Sequence, residues 1–132
     1  MTIPYDANYD PAALVLPAVL SGVVRSRPQV QLPALIDTGA ELTAVPNSAV
    51  KRLRLYAVGQ IEVEDIHARV ESVEIYTVRL AIVDLQVREM EVVPTKQPFI
   101  ILGRDWLEDY YLLLNGPEQT FFLSSTPLVT QT

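Results

Sequence analysis

ALIDTGAELTAVP, residues 34–46, decides how this chain is read. Ala34, Leu35 and Ile36 form an apolar run that ends abruptly at Asp37. Thr38, Gly39 and Ala40 follow, and the chain turns apolar again at Leu42, Ala44 and Val45. A carboxylate at the end of a strand built for burial is costly unless it is partnered, because apolar surroundings disfavour the charged form. Two readings follow. Asp37 is an ordinary Asx-type turn residue, or its cost is tolerated because the carboxyl does chemistry.

The rest of the chain narrows the choice. Its 132 residues suit a single domain, and 49% hydrophobic against 20% charged residues supply a real core. There is no cysteine, hence no disulfide, thiol nucleophile or cysteine-based metal site. A single histidine, His67, makes neither a zinc cluster nor a serine–histidine relay, and no metal or other cofactor is expected. The net charge of −6 argues against a nucleic-acid partner. The apolar stretch Ala12 to Val24 is short for a membrane span and is broken by Pro17 and Gly22, so it reads as a core strand. The expectation is a soluble, cytoplasmic protein.

Valine, isoleucine, tyrosine and threonine recur in short runs broken by turn signals, which predicts an all-β fold. Residues 1–12 read as an irregular lead-in, 13–123 as one domain and 124–132 as a polar tail. Strands are predicted near 13–20, 29–36 and 43–45, with a turn region between Ser21 and Pro28. Asn47 and Ser48 read as a helix start, with a turn or two of helix over Ala49–Leu55 whose Lys51, Arg52 and Arg54 form a solvated face. From 58 to 93 the pattern is strand. Val73 and Ile75 are apolar on one phase, and Tyr76, Val78, Leu80 and Ile82 on the other. Such a phase change implies a bulge or a strand passing between layers. Asp84 marks a turn and Leu85–Val93 the return strand, with a loop over Pro94–Pro98. Phe99–Leu102 is an apolar strand, followed by a short helix over Trp106–Tyr110 with Asp105 near its N-cap. Tyr111–Leu114 and Thr120–Leu123 form a hairpin around Asn115-Gly116.

Apolar-apolar-Asp-Thr-Gly-Ala at 35–40, followed by Ile-Ile-Leu-Gly-Arg-Asp-Trp-Leu at 100–107, resembles the retropepsin-like aspartic proteases, the retroviral-type enzymes and their bacterial relatives. The resemblance covers roughly residues 13–123. It implies a closed, barrel-like all-β fold with one short C-terminal helix. It also implies an endopeptidase in which two aspartates share a proton and activate water. Asp-x-Gly occurs only at 37–39. A two-lobed, pepsin-like chain is therefore excluded, and the resemblance implies a homodimer with Asp37 of each subunit forming the dyad.

Further roles come with the resemblance. Thr38 would bond across to the partner loop, Gly39 would let backbone approach the carboxyl and substrate, and Ala40 would complete the active-site loop. Arg104, with Gly103 and Asp105 beside it, would pair with an acidic residue of that loop. Retroviral members usually carry Asp four residues after the catalytic one, where this chain has Glu41. A flap hairpin is expected within 59–76, with its tip at Ile66, His67, Ala68 and Arg69. Retroviral flap tips are glycine-rich, and here only Gly59 is present.

Plainer readings stand beside these. His67 reads first as an exposed loop residue and Trp106 as a core or dimer-facing anchor. Glu62, Glu64, Asp65, Glu71 and Glu74 read as a solvated acidic face, or as a bias toward basic peptides. Leu35, Ala40, Leu42, Ala44 and Ile101 are candidates for apolar substrate pockets. The rival functions are a catalytically silent domain used for dimerisation or peptide binding, and a processing domain that cuts its own longer chain.

Overall fold

A computed structural model describes residues 2–24 and 28–127. The predicted turn at Arg25 and Arg27, and the end of the predicted tail from residue 128, lie outside the described residues.

Alternation builds the barrel. In β2 (Val15–Ser21), Leu16, Ala18 and Leu20 point inward, and in β3 (Gln29–Ile36), Val30, Ala34 and Ile36 do so. The two strands pair antiparallel from Val15↔Leu35 to Ser21↔Gln29. Pro17 faces Pro33 across this pair. Each proline sits one residue outside the stretch where its strand has a second neighbour, so its missing N–H breaks no ladder there.

Four more strands complete the ring: β4 (Ala44–Pro46), β6 (Val70–Ile82), β7 (Arg88–Thr95) and β8 (Ile100–Leu102). The order is β2-β3-β8-β4-β7-β6, and β6 returns to β2 through Ala18↔Ile82 to Ser21↔Arg79. Closure leaves these six strands without a free edge. The barrel predicted from the motifs is therefore present. β8 lies parallel to β3 and antiparallel to β4, so it sits between the strands on either side of the Asp37 loop.

β5 (Ala57–Glu64) stands outside the ring and, among the described residues, pairs only with β6. The predicted phase change falls where β6 leaves this hairpin and enters the barrel. Up to Ile75 its residues are exposed or half-buried; from Tyr76 on, alternate side chains are buried. The accompanying register shift lies on the opposite strand, between Ala57 and Gly59.

Several elements differ from the sequence expectation. The lead-in contains β1 (Thr2–Pro4), which pairs with β10 (Thr120–Ser124), itself paired with β9 (Tyr111–Asn115). Phe121 and Leu123 of this three-stranded sheet join the barrel core, and Tyr5 lies against Phe121. A three-residue strand carries too little periodicity to be seen in sequence.

Both short helices expected after Asn47 and near Trp106 are present, each shifted about two residues toward the N-terminus: α1 (Asn47–Arg52) and α2 (Arg104–Leu107). Pro46, held in β4, occupies the N-cap of α1, so Asn47 and Ser48 lie inside the helix and give it no side-chain cap. In α2 the N-cap is Gly103, and Asp105 is one turn residue in, free for another partner. Trp106 of α2 is 1% exposed and stacks on Tyr110 at 4.5 Å, which makes it a core anchor. The β9–β10 connection is longer than a two-residue Asn-Gly turn. It runs over 116–119, and the left-handed residue is Gln119, with φ 52°.

Candidate active site

The loop from Asp37 to Thr43 leaves β3, passes over the end of β8 and enters β4. Pairing of β3 with β8 carries straight into it, because the Asp37 N–H donates to the Leu102 carbonyl at 3.0 Å. The Asp37 side chain is half-buried, and its Oδ1 accepts the Gly39 N–H at 2.9 Å. The Asx-turn geometry of the plainer reading is therefore present, and it fixes the direction of the carboxyl. A Cβ on Gly39 would stand 3.2 Å from that same Oδ1, so a side chain there crowds the carboxylate.

β8 and α2 brace the loop from below. The Arg104 N–H donates to the Ala40 carbonyl at 2.8 Å and the Asp105 N–H to the Glu41 carbonyl at 3.2 Å. The Arg104 guanidinium donates to the Thr38 carbonyl at 2.8 Å and reaches the Glu41 carboxylate at 3.9 Å. Both charged groups are solvent-exposed, so this ion pair contributes about 0–1 kcal/mol. Gly103 is the tightest point. A Cβ there would lie 2.6 Å from the Leu42 carbonyl carbon and 2.7 Å from its oxygen. The backbones meet so closely that no other residue fits without a shift.

Sequence reading missed Thr43, which sits at the centre of this brace. It is fully buried. Its hydroxyl donates to Asp105 Oδ1 at 2.6 Å and accepts the Gly103 N–H at 3.1 Å, while its own N–H donates to Asp105 Oδ2 at 3.1 Å. Asp105 thus serves Thr43 and, through Oδ1, the Trp106 N–H at 2.8 Å. A threonine among apolar neighbours, with an aspartate in the second motif, was the available signal. Arg88 was missed as well. It donates to the carbonyls of Asp105 and Trp106 and pairs with Asp109 at 3.3 Å, placing a cation at the C-terminal end of α2. Burial, partly offset by Arg88, pushes the neighbouring Tyr110 hydroxyl up.

The β5–β6 hairpin turns at 65–69, so Ile66, His67, Ala68 and Arg69 do form a tip. The turn uses Asp65 in place of glycine. Its Oδ1 accepts the N–H groups of His67 at 2.8 Å and Arg69 at 3.0 Å. Ala68 takes the left-handed position, with φ 60°, that glycine usually fills. Ile66 is 96% exposed at the end of the hairpin. At its base, the Tyr76 hydroxyl donates to Glu74 at 2.7 Å, and that bond, with burial, raises its pKa.

The structure thus gathers Asp37, Thr38, Gly39, Ala40, Glu41, Gly103, Arg104 and Asp105 around one loop, with the tip residues on a separate hairpin. Of the apolar candidates, Ala44 is buried in the core, Leu35, Ala40 and Ile101 are half-buried, and Leu42 is exposed. Leu42 lines a hollow with Ile61 and Ile75 of the hairpin. No group of three or more histidine, aspartate or glutamate side chains among the described residues is arranged to hold a metal ion. No helix among them is long and apolar enough to cross a membrane.

A closed six-stranded barrel with an Asp-Thr-Gly loop braced by an Ile-Leu-Gly-Arg-Asp segment defines the retropepsin-like class of aspartic proteases. Residues 28–109 match the model of the family described as "gag-polyprotein putative aspartyl protease", and the chain belongs to that family. Solved structures agree on the fold. A retropepsin-like aspartic protease from Rickettsia conorii superposes with a TM-score of 0.63 at 13% identity, over 93% of this chain and 88% of that one. EIAV protease, solved with the inhibitor HBY-793, gives 0.50 at 20% identity, over 74% of this chain and 86% of that one. The foamy viral protease-reverse transcriptase, solved with an RNA/DNA hybrid, gives 0.56 at 19% identity. There the match spans 75% of this chain but only 12% of the viral one. No curated protein matches the sequence.

Proposed function

We propose that this protein is an aspartic endopeptidase in which Asp37 from each of two identical subunits forms the catalytic dyad. Residues 13–123, with β1 added to their three-stranded sheet, make up the domain that does this work, and its substrates are peptides or proteins. The observation that carries the reading is the braced Asp37 loop: a half-buried carboxyl, oriented by the Gly39 N–H, on backbone pinned to β8 and α2.

Two carboxyls about 3 Å apart cannot both ionise, so they hold one proton between them. The ionised member takes a proton from water as the water oxygen bonds to the scissile carbonyl carbon. The protonated member donates to the carbonyl oxygen. Collapse of the resulting diol breaks the C–N bond, and the proton passes to the departing amine. Activity is expected at acid pH, as the shared proton of such a dyad requires.

One Asp-x-Gly per chain supports the homodimer. So does β9, which among the described residues pairs on one edge only and carries exposed Tyr111, Leu113 and Leu114. Apolar residues on a free strand edge are unusual in a monomer. The cysteine-free sequence fits a reducing compartment such as the cytoplasm. No cofactor, nucleic acid or membrane enters the reaction.

A second reading, a peptide-binding domain without turnover, is favoured by one feature: the hairpin tip lacks glycine and is tied by its own Asp65. Cleavage of a diverse peptide library across acid to neutral pH, beside Asp37→Ala at matched dimer content, separates the two. Cleavage that vanishes in the variant supports the protease. A folded, dimeric wild type that cuts nothing supports the binding domain, and equal cleavage by both overturns the role of Asp37.

A further inference from the structure

The β5–β6 hairpin has two chemically different faces. Its register places Ile61 opposite Val73, Val63 opposite Glu71 and Gly59 opposite Ile75. Directly opposed residues share a face, and alternate residues along a strand do too. One face therefore carries Ile61, Val63, Glu71, Val73 and Ile75. The other carries Gln60, Glu62, Glu64, Ser72 and Glu74. The acidic character of this hairpin belongs mostly to the second face.

The first face covers two adjoining hollows, and Val93 of β7 lines both. The larger, about 440 Å³, is lined by Glu71, Asp65 and Arg69, so it carries charges of both signs. The smaller, about 140 Å³, lies among Leu42, Ile61, Ile75, Val92, Val93 and Glu91. A volume of that order takes one side-chain-sized group, since an engineered cavity of about 150 Å³ takes benzene. Leu42 belongs to the loop that carries Asp37, so this hollow adjoins the candidate active site.

Among the described residues, Glu91 is the only charged group lining the smaller hollow, and no ion pair engages it. Its neighbour across the ladder is Thr77, which is uncharged. An apolar pocket with one unpaired carboxylate at its wall suits a side chain that is apolar along its stem and cationic at its tip. It disfavours an acidic side chain by repulsion.

We infer that this hollow is a specificity pocket for a lysine or arginine of a bound peptide, with the stem against Leu42, Ile61 and Ile75 and the cation at Glu91. The inference rests on the reading of the cleft as a peptide site, but not on turnover. It assigns the basic preference to one residue rather than to the acidic hairpin as a whole.

The test is binding, in the Asp37→Asn protein so that no probe is consumed. Two fluorescein-labelled eight-residue peptide libraries are used, identical except that one fixes lysine and the other norleucine at a central position. Fluorescence anisotropy is read near neutral pH and low salt, where exposed ion pairs are strongest. The lysine library should bind about fivefold more tightly. Glu91→Gln should abolish that difference, while Glu62→Gln, on the opposite face, should leave it intact. Equal binding of the two libraries, no binding of either, or an equal loss in Glu62→Gln would overturn the inference. Whether Asp37 cleaves is read separately in the wild-type protein, so the two claims fail independently.

Discussion

Residues 37–43 are held to the barrel from outside themselves, whereas the turn hydrogen bonds of residues 65–69, among the described residues, run between one another. The Asp37 loop is tied, through its own Thr43 and the Thr38 carbonyl, to Gly103, Arg104 and Asp105, which lie some sixty residues away in sequence. The hairpin tip is tied by Asp65, which closes the turn from within, and its apolar Ile66 projects into solvent. Both loops connect strands of one domain, yet one is built to keep a carboxyl in place and the other to remain free of the barrel. A site that must orient water needs the first kind of loop. A cover that must open for a peptide needs the second.

Breaking the Asp37 brace should have the largest effect. In Gly103→Ala the new methyl group meets Leu42 backbone, which cannot rotate away, and the cost should be about 3 kcal/mol. Urea denaturation at fixed protein concentration reads it; a cost under about 0.5 kcal/mol would mean that the close contact does not constrain the loop. Thr43→Val comes next. It keeps the shape but leaves Asp105 Oδ1 and the Gly103 N–H without the hydroxyl, and should cost about 2 kcal/mol. A neutral result would remove Thr43 from the centre of the brace.

The hairpin should respond differently. Ala68→Gly relieves a left-handed residue and should stabilise the turn by about 1 kcal/mol. Hydrogen exchange at the amides of 67 and 69 is the measurement, since global unfolding need not report a local turn. Faster exchange there would show that added chain entropy outweighs the relief of strain.

The smallest effect belongs to the exposed Glu41–Arg104 pair. Arg104→Ala should cost more than Glu41→Ala, because Arg104 also holds the Thr38 carbonyl. Swapping the two charges should recover no more than about 0.5 kcal/mol. Recovery of the whole loss would show that the ion pair, not the bond to Thr38, is what Arg104 supplies.

Much of this was legible in the chain. β3 was visible because Gln29 to Leu32 alternate and an apolar run then carries the strand to Asp37, and the passage of β6 from hairpin to barrel was visible because its apolar phase slips at Ile75-Tyr76. The two motifs pointed to one loop, and the structure brings them together. Long-range partners were harder. Thr43 looks like any strand residue until its neighbour at position 105 is known, and Asp105 looked like a cap because caps are local and its true partner is not. Arg88, within a strand, gave no sign that it would close the end of α2. β1 was too short to show a period, and the Asn115-Gly116 pair suggested a tighter turn than the four-residue connection found.

The claim that matters most is that the dyad is shared between subunits. Wild-type protein is mixed with an equal amount of Asp37→Asn, subunits are allowed to exchange, and total cleavage is compared with the wild type alone at the same total concentration. With one Asp37 from each chain, only wild-type pairs cut, and activity should fall to about a quarter. A fall to about one half, as for chains that act independently, would contradict the account.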